Sequence, residues 1–186
     1  MDYTIFRKIN NLSGESEFLD TLMVWSSEYV TIILALAVVV FMILGFKSRT
    51  SLRTALFTVI SIGLSMGIGY LIKGLTYRPR PFLEHDVNLI IAHNTASSFP
   101  SNHTLAAFTI ALSIFLFHKK VGTVLLVLAT FIGFSRIFLG HHYPLDVLGG
   151  FVIALLVVSL LKLLYNQFFG RKEEQQSRRG SKEIPY

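Results

Sequence analysis

The sequence predicts an all-α protein: a polytopic membrane helix bundle of about five transmembrane helices, with interfacial helices at its N-terminus. Of its 186 residues, 52% are apolar and only 15% are charged, whereas a soluble domain carries about 25% charged residues. The mean hydropathy of the chain is +0.57, and its apolar residues lie in runs of bilayer length. The absence of cysteine excludes disulfides, thiolate metal sites and a cysteine nucleophile.

Five apolar runs give the predicted spans, which cover residues 30–46, 55–72, 103–117, 121–138 and 145–165. Because about 20 residues of helix cross the hydrocarbon core, the third run is short and should begin below the membrane surface. Apolar residues recur at helical spacing among charges in residues 1–29, which favours an interfacial segment. Gly63 and Gly67 form a GxxxG pattern, which favours close helix packing. We therefore predict one membrane domain over residues 1–170 and a polar cytoplasmic tail over residues 171–186.

The basic residues predict how the helices are oriented. Ten lysines and arginines lie in one set of connections and the tail, and six lie in the other set. Because cytoplasmic loops are enriched in these residues, the tail should be inside and the N-terminus outside. This distribution also explains the net charge of +6 without a nucleic-acid partner. The connections 73–101 and 136–144 then both face the exterior.

Three short strings of polar residues lie within or beside these two connections. They are Lys73-x6-Arg80-Pro81, Pro100-Ser101-Asn102-His103 and Ser135-Arg136-x5-His142-x3-Asp146. Cations held at one membrane face repel one another unless an anion lies between them, and arginine offers a planar fork that suits phosphate oxygens. The strings therefore indicate a phosphoryl group as the ligand.

The other polar residues of the strings suit chemistry on that group. Ser101 or Asn102 can cap a helix whose free N–H groups and positive dipole end point at the anion. Asp146 follows His142 by four residues, so its carboxylate can orient one ring nitrogen and leave the other to attack. His103, on another helix, can protonate the leaving oxygen. The set predicts phosphoryl transfer through a phosphohistidine with no metal or other cofactor, because lysine and arginine neutralise the transferred group.

Simpler interpretations stay open for each residue taken singly. A lone Lys or Arg at a membrane edge is usually a snorkelling anchor, and a lone Ser or Asn before an apolar run is usually a helix cap. Arg78 is interpreted as such an anchor or as a lipid-headgroup contact. The remaining histidines are expected in loops or at the surface, with His141 a minor partner of the site. Residues 84–86 with His93 fit no standard metal-ligand set.

The three strings resemble the signature motifs of the type 2 phosphatidic acid phosphatase superfamily, KxxxxxxRP, PSGH and SRxxxxxHxxxD. The resemblance implies that four residues bind phosphate: Lys73, Arg80, Ser101 and Arg136. It also implies catalytic roles for three residues: His142 as nucleophile, Asp146 as its partner and His103 as general acid. Asn102 stands where the family has glycine, and we place it in the phosphate cradle because asparagine tolerates unusual backbone conformations better than most residues do.

Two longer strings, SSFPSNHT and GFSRIFLGHHYPLDVLGG, are similar to the bacitracin-resistance group of undecaprenyl diphosphate phosphatases. This resemblance implies a bacterial plasma-membrane enzyme with an exterior active site. Its reaction would convert undecaprenyl diphosphate to undecaprenyl phosphate and phosphate, recycling the lipid carrier of cell-wall synthesis. The expected partners are this polyprenyl diphosphate and the bilayer, and the sequence indicates no oligomeric state. Phosphatidic acid or phosphatidylglycerol phosphate is the alternative substrate, and anion transport is an alternative function.

Overall fold

The computed structural model describes residues 1–93 and 95–170, so the predicted tail at 171–186 lies outside the described residues. The helices are α1 (Asp2–Asn10), α2 (Glu17–Leu44), α3 (Arg49–Leu75), α4 (Pro81–Glu84), α5 (Asn102–Phe117), α6 (Lys119–Phe138) and α7 (Pro144–Tyr165). A π-helical turn, Asn166–Gly170, extends α7. These described residues form no strand, and the all-α fold class is confirmed.

Among the described residues, four helices, α2, α3, α6 and α7, are long and apolar enough to cross a membrane. α5 has only 16 residues, as the short third run predicted, and it packs against α3, α6 and α7 at the centre of the bundle. Leu105, Ala111 and Ile114 of α5 are fully buried. Because other helices surround α5, its length need not match the thickness of the bilayer. The chain is a multi-pass membrane protein.

The outer helices expose large apolar side chains along their length, including Leu36 of α2, Ile60 of α3 and Leu156 of α7. A surface of this extent would be unfavourable in water. In a bilayer it contacts the lipid tails, while the polar backbone is satisfied within each helix. The outer faces of these helices therefore suit contact with lipid.

Close helix packing occurs at other glycines than the predicted pair. A Cβ atom built on Gly122 of α6 would lie 2.2 Å from Phe115 Cα of α5. At Gly63 and Gly67 it would meet no atom of residues 1–93 or 95–170 within 4 Å, so the packing predicted from GxxxG is wrong for this part of the chain. The close approach of α3 occurs at Gly69, where a Cβ would lie 2.7 Å from Leu105 Cδ2. Both predicted glycines lie on an open face of α3, where no helix approaches.

The N-terminal segment is divided differently from the prediction. The first span was predicted to begin at residue 30, but α2 runs without a break from Glu17. Its apolar positions continue in helical phase from Phe18 onward, and no glycine or proline interrupts them before residue 45. The break lies earlier, at Gly14, where φ is +89°, a backbone conformation that glycine adopts readily. The interfacial position of residues 1–29 stays a prediction.

Helix α1 packs against the end of the bundle where the 76–101 connection lies. Phe6 is buried with Ile137 and Tyr143. The Asn10 side-chain amide donates to the carbonyl oxygens of Asn88 at 2.9 Å and Phe138 at 2.8 Å. This short helix therefore joins the connection to the end of α6.

Candidate active site

The predicted site residues converge at one end of the bundle. The last residues of α3 and α6 and the first residues of α5 and α7 meet there, and the 76–101 connection folds over them. Two backbone hydrogen bonds fix this arrangement. Ser98 N donates to Arg78 O at 2.8 Å, and Ser101 N donates to Asp146 O at 3.1 Å. The three sequence strings thus lie side by side.

His142 is joined to Asp146 through a serine. His142 Nδ1 lies 3.6 Å from Asp146 Oδ2, which is too far for a good hydrogen bond. Ser98 Oγ lies between them, 3.2 Å from Nδ1 and 2.5 Å from Oδ2. A carboxylate only accepts hydrogen bonds, so the single hydroxyl proton goes to Asp146 and Ser98 Oγ accepts from His142 Nδ1–H. The sequence predicted that the carboxylate reaches the ring directly, whereas the structure places the Ser98 hydroxyl between them.

Arg80 selects the same histidine tautomer from the other side of the ring. Its Nη1 lies 3.1 Å from His142 Nε2 and donates to His141 O at 3.0 Å. A guanidinium only donates, so Nε2 carries the lone pair. Burial, and then the charges of Arg80, Arg136 and Lys73, hold the pKa of His142 well below its ordinary value. The ring is therefore neutral, which is the form that a nucleophile requires.

Asp146 is held by donors on both of its oxygens. Oδ1 accepts from Arg78 Nη1 at 2.6 Å, and Oδ2 accepts from Ser98 and from Tyr143 N at 2.8 Å, completing a capping box at the start of α7. Arg78 Nη2 also donates to Asp2 Oδ2 at 2.5 Å, and its guanidinium lies 4.4 Å from the centre of the Tyr143 ring. The interpretation of Arg78 as a snorkelling anchor is therefore wrong, because its charge is engaged by two carboxylates.

His142 lines a cavity of about 110 Å³, which we call the His142 cavity. Its lining residues are Lys73, Arg80, His93, Ala96, Asn102, His103 and His142. Carbonyl groups of the connection hold the two cations, because Lys73 Nζ donates to Ser97 O at 2.6 Å and Arg80 Nε donates to Ala96 O at 2.9 Å. The cavity thus brings together the predicted nucleophile, the predicted acid and two of the three predicted cations.

Arg136 lines a second cavity of about 260 Å³, which we call the Arg136 cavity. Its lining residues are Glu28, Ile91, Ala92, His93, His103, Arg136 and His141. His93 and His103 line both cavities, so the two adjoin. Fully buried Arg136 donates from Nη1 to Ser27 Oγ at 2.5 Å, and the same atom lies 3.6 Å from Glu28 Oε1. Arg136 therefore lies in the space that adjoins the His142 cavity, and the phosphate contact predicted for it stays a prediction.

Helix α5 begins where the sequence predicted, with Ser101 in the N-cap position and Asn102 as the first helical residue. The buried Ser101 Oγ accepts from Thr104 Oγ1 at 3.1 Å and caps no backbone group. Asn102 is exposed and lines the His142 cavity. The start of α5 therefore meets the cavity at Asn102 and His103, and the phosphate contact assigned to Ser101 stays a prediction.

The sequence underestimated two histidines. His141, predicted as a minor partner of the site, is fully buried and lines the Arg136 cavity, and its Nε2 lies 2.9 Å from Ile91 O. The His93 ring lies 4.6 Å from the His141 ring, 6.3 Å from that of His142 and 6.5 Å from that of His103. The crowding of histidines between positions 85 and 142 was the signal that could have pointed to this cluster.

The other histidines lie away from the cavities. His85 stacks on Tyr3 with 3.9 Å between ring centres, and His118 packs on Phe41 at the opposite end of the bundle. Across residues 1–93 and 95–170, no three His, Asp or Glu side chains are grouped closely enough to hold a metal ion.

Comparison with known proteins gives consistent matches. The PAP2 superfamily model matches residues 52–170. The chain is 38% identical to undecaprenyl-diphosphatase BcrC of Bacillus subtilis strain 168, over 84% of this chain and 80% of that protein. It is also 38% identical to bacitracin transport permease protein BcrC of Bacillus licheniformis, over 81% of this chain and 74% of that protein. The crystal structure of Aquifex aeolicus LpxE superposes with a TM-score of 0.68 at 28% identity, covering 86% of this chain and 93% of the other.

Proposed function

Because the chain belongs to the PAP2 superfamily, we propose that it is a membrane lipid phosphatase that hydrolyses undecaprenyl diphosphate to undecaprenyl phosphate and phosphate. The His142 cavity carries this proposal. A neutral imidazole, oriented from behind by Ser98 and Asp146, shares a space of about 110 Å³ with Lys73 and Arg80. The similarity to undecaprenyl-diphosphatase BcrC supports the choice of substrate.

In the proposed reaction, His142 Nε2 attacks the terminal phosphorus of the diphosphate while Lys73 and Arg80 neutralise its oxygens. The bond from that phosphorus to the bridging oxygen breaks. His103 donates a proton to the bridging oxygen, and the lipid leaves as a monophosphate. His103 then accepts a proton from a water molecule, whose oxygen attacks the phosphohistidine. Inorganic phosphate is released, and His142 regains its lone pair.

The residues behind His142 stabilise the charge that develops on its ring. When Nε2 bonds to phosphorus, the imidazole gains a positive charge, and Nδ1–H donates more strongly to Ser98 Oγ. Ser98 in turn donates to the Asp146 carboxylate, whose position Arg78 and Tyr143 fix. The hydroxyl thereby transmits the carboxylate charge to the ring while the proton stays on Nδ1.

The lipid tail stays in the bilayer in this proposal. The apolar outer faces of the helices are open to lipid, and only the phosphate end of the substrate needs to enter the cavities. We place the cavities on the exterior side of the membrane, because ten basic residues belong to the opposite side and six to this one. An exterior site would meet a lipid carrier after it has delivered its cargo outside the cell.

Phosphate release from detergent-purified protein tests the proposal. We expect a higher kcat/KM for undecaprenyl diphosphate than for phosphatidic acid or phosphatidylglycerol phosphate. The opposite order would contradict the assignment of undecaprenyl diphosphate as the substrate but would still agree with a lipid phosphatase. No hydrolysis of any of the three would reject the enzyme and favour transport, the activity named for the Bacillus licheniformis relative.

Two further measurements test the mechanism in the same preparation. His142→Ala should abolish the labelled phosphoenzyme, whereas His118→Ala, at the opposite end of the bundle, should retain it. EDTA should leave wild-type turnover unchanged, because Lys73 and Arg80 supply the positive charge. Loss of turnover in EDTA that a divalent ion restores would contradict the metal-free mechanism.

A further inference from the structure

Helix α2 carries one charged side chain beyond its first turn, and that side chain lies at the site. From residue 21 to the end of α2 at residue 44, Glu28 is the only Asp, Glu, Lys or Arg. An ionisable residue in a membrane-spanning helix is costly and usually marks a function. Glu28 lines the Arg136 cavity together with His103. The family model begins at residue 52, so the family motifs assign no role to α2.

Ser27, the residue before Glu28, directs its hydroxyl away from its own helix. Ser26 and Thr31 of α2 donate to the backbone carbonyl oxygen four positions earlier, at 2.8 Å and 3.1 Å, which is the ordinary arrangement in an apolar helix. Ser27 Oγ instead lies 3.1 Å from Glu28 Oε1 and 2.5 Å from Arg136 Nη1. A carboxylate only accepts and a guanidinium only donates. The Ser27 hydroxyl therefore donates to Glu28 and accepts from Arg136.

These contacts engage one nitrogen of the Arg136 guanidinium and leave one edge of it free. Nη1 donates to Ser27 Oγ and lies 3.6 Å from Glu28 Oε1. Within residues 1–93 and 95–170, Nε and Nη2 have no hydrogen-bond partner, although Arg136 is 0% exposed. Nε–H and the outer Nη2–H form the fork that binds two oxygens of one phosphate. Buried polar groups are nearly always satisfied, so the free edge indicates an anionic ligand.

Two observations relate the guanidinium of Arg136 to the nucleophile. The Arg136 cavity adjoins the His142 cavity at His93 and His103. Burial, and then the charges of Arg80 and Arg136, lower the pKa of His142, so the guanidinium lies within electrostatic range of the ring. The free edge of Arg136 is thus available for the phosphate contact that the sequence strings predict.

We propose that Ser27 and Glu28 are positioning residues, which hold Arg136 by Nη1 so that its Nε and Nη2 edge is presented to the transferred phosphoryl group. This inference rests on the proposed function and on the phosphate contact predicted for Arg136. Glu28 orients the Ser27 hydroxyl, and the hydroxyl fixes Nη1. A guanidinium that is already fixed loses less side-chain freedom when the phosphate binds. Helix α2 thereby completes a phosphate site whose other members come from the family motifs.

The test measures the competitive Ki of inorganic phosphate and kcat/KM for undecaprenyl diphosphate, with the midpoint of thermal inactivation as a measure of folding. Ser27→Ala removes the hydroxyl that fixes Nη1. We expect the Ki of phosphate to rise and kcat/KM to fall, each at least about threefold. The control, Ser26→Ala, removes a hydroxyl that donates within α2 and should change neither quantity. A lower midpoint with an unchanged Ki in Ser27→Ala would show that Ser27 only stabilises the fold and would overturn the proposal.

A double-mutant cycle shows whether Ser27 acts through Arg136. Arg136→Lys keeps the charge but loses the two-pronged edge. If Ser27 acts by holding Nη1, Ser27→Ala should have little further effect on the Ki of phosphate when Arg136 is already lysine. Full additivity of the two substitutions would mean that Ser27 acts by another route, and the inference would be wrong. Failure of the wild-type enzyme to cleave any of the lipid phosphates would instead reject the proposed function.

A pair of substitutions at Glu28 decides the matter if Arg136→Lys does not fold. Glu28→Gln removes the negative charge but keeps an acceptor for the Ser27 hydroxyl, whereas Glu28→Met removes both. Loss of the charge alone should strengthen the binding of phosphate to the neighbouring cation. We expect Glu28→Met to weaken phosphate inhibition at least about twofold in spite of this, and Glu28→Gln to leave it unchanged or stronger. Stronger inhibition in both variants would show that Glu28 acts only through its charge and would overturn its positioning role.

Discussion

Substitution of Ser98 by alanine tests the connection between His142 and Asp146. The direct distance of 3.6 Å between Nδ1 and Oδ2 is too long for a good hydrogen bond. Asp146 cannot easily move closer, because Arg78 holds Oδ1 at 2.6 Å and Tyr143 N holds Oδ2 at 2.8 Å. The variant therefore leaves Nδ1–H without its acceptor when the ring becomes charged.

The expected loss follows from the strength of this kind of hydrogen bond. A hydrogen bond to a charged group contributes about 1.5–3 kcal/mol, and about 1.36 kcal/mol corresponds to a factor of ten in rate. We therefore expect Ser98→Ala to lower kcat by about 10- to 150-fold. Because Ser98 lies behind the ring and does not line the His142 cavity, KM should change by less than about twofold.

The assay is steady-state phosphate release combined with single-turnover formation of the phosphoenzyme. Ser61→Ala is the matched control, since Ser61 is also fully buried but donates within its own helix, to Phe57 O at 2.7 Å. The control should keep wild-type kcat. If Ser98→Ala retains more than a third of wild-type kcat, or raises KM while kcat stays unchanged, the bridging role of Ser98 is refuted.

Three further predictions concern pH, the N-terminus and topology. Burial and neighbouring cations lower the pKa of His142, so the acid limb of the kcat/KM profile that this histidine causes should lie below a pH of about 6.5. Arg80→Gln removes one of these cations and should move the acid limb to higher pH. A shift of the limb to lower pH would contradict this explanation. Asp2→Asn removes the ion pair with Arg78, which contributes about 1 kcal/mol, and should lower the melting temperature by about 2–4 °C. Thermal inactivation measures this shift. An unchanged midpoint would show that the pair does not stabilise the protein. Asp86 and Lys120 are exposed and can each be replaced by cysteine. On intact cells, an impermeant thiol reagent should label the cysteine at position 86 and not the one at position 120. Labelling at position 120 alone would invert the predicted topology.

The sequence predicted the helices well because a bilayer imposes a simple rule. Every span must be apolar and about 20 residues long. Runs such as 121–138 and 145–165 can therefore be recognised as helices without knowing which helices they pack against. α5 could be predicted as a helix, and its short length pointed to an unusual position. Its central place in the bundle depends on contacts with α2, α3, α6 and α7, which no local pattern encodes. The start of α2 was misplaced because hydropathy detects the membrane core and not the polar first turns of a helix.

The predicted site residues were found by spacing, and the missed residues have no spacing signal. His142 and Asp146 lie four apart on one chain segment, so their proximity could be inferred. Ser98 reaches them only because the 76–101 connection folds back over the helix ends. Arg78 pairs with a carboxylate 76 positions away, and such long-range pairing leaves no periodic pattern. The division into two cavities likewise depends on the packing of α2 and the connection around Arg136.

The contacts of α1 impose an order on biosynthesis. Asp2 Oδ1 accepts from Leu145 N at 3.0 Å, across 143 positions of the chain, and Asn10 reaches Phe138 O across 128. α1 leaves the ribosome before α6 and α7, which provide these partners. The contacts of α1 can therefore form only after residues 138–145 have been made. A nascent chain that stops short of α7 lacks Asp146 and the backbone donor of Leu145 that α1 binds, so the appearance of activity reports that α7 has been inserted.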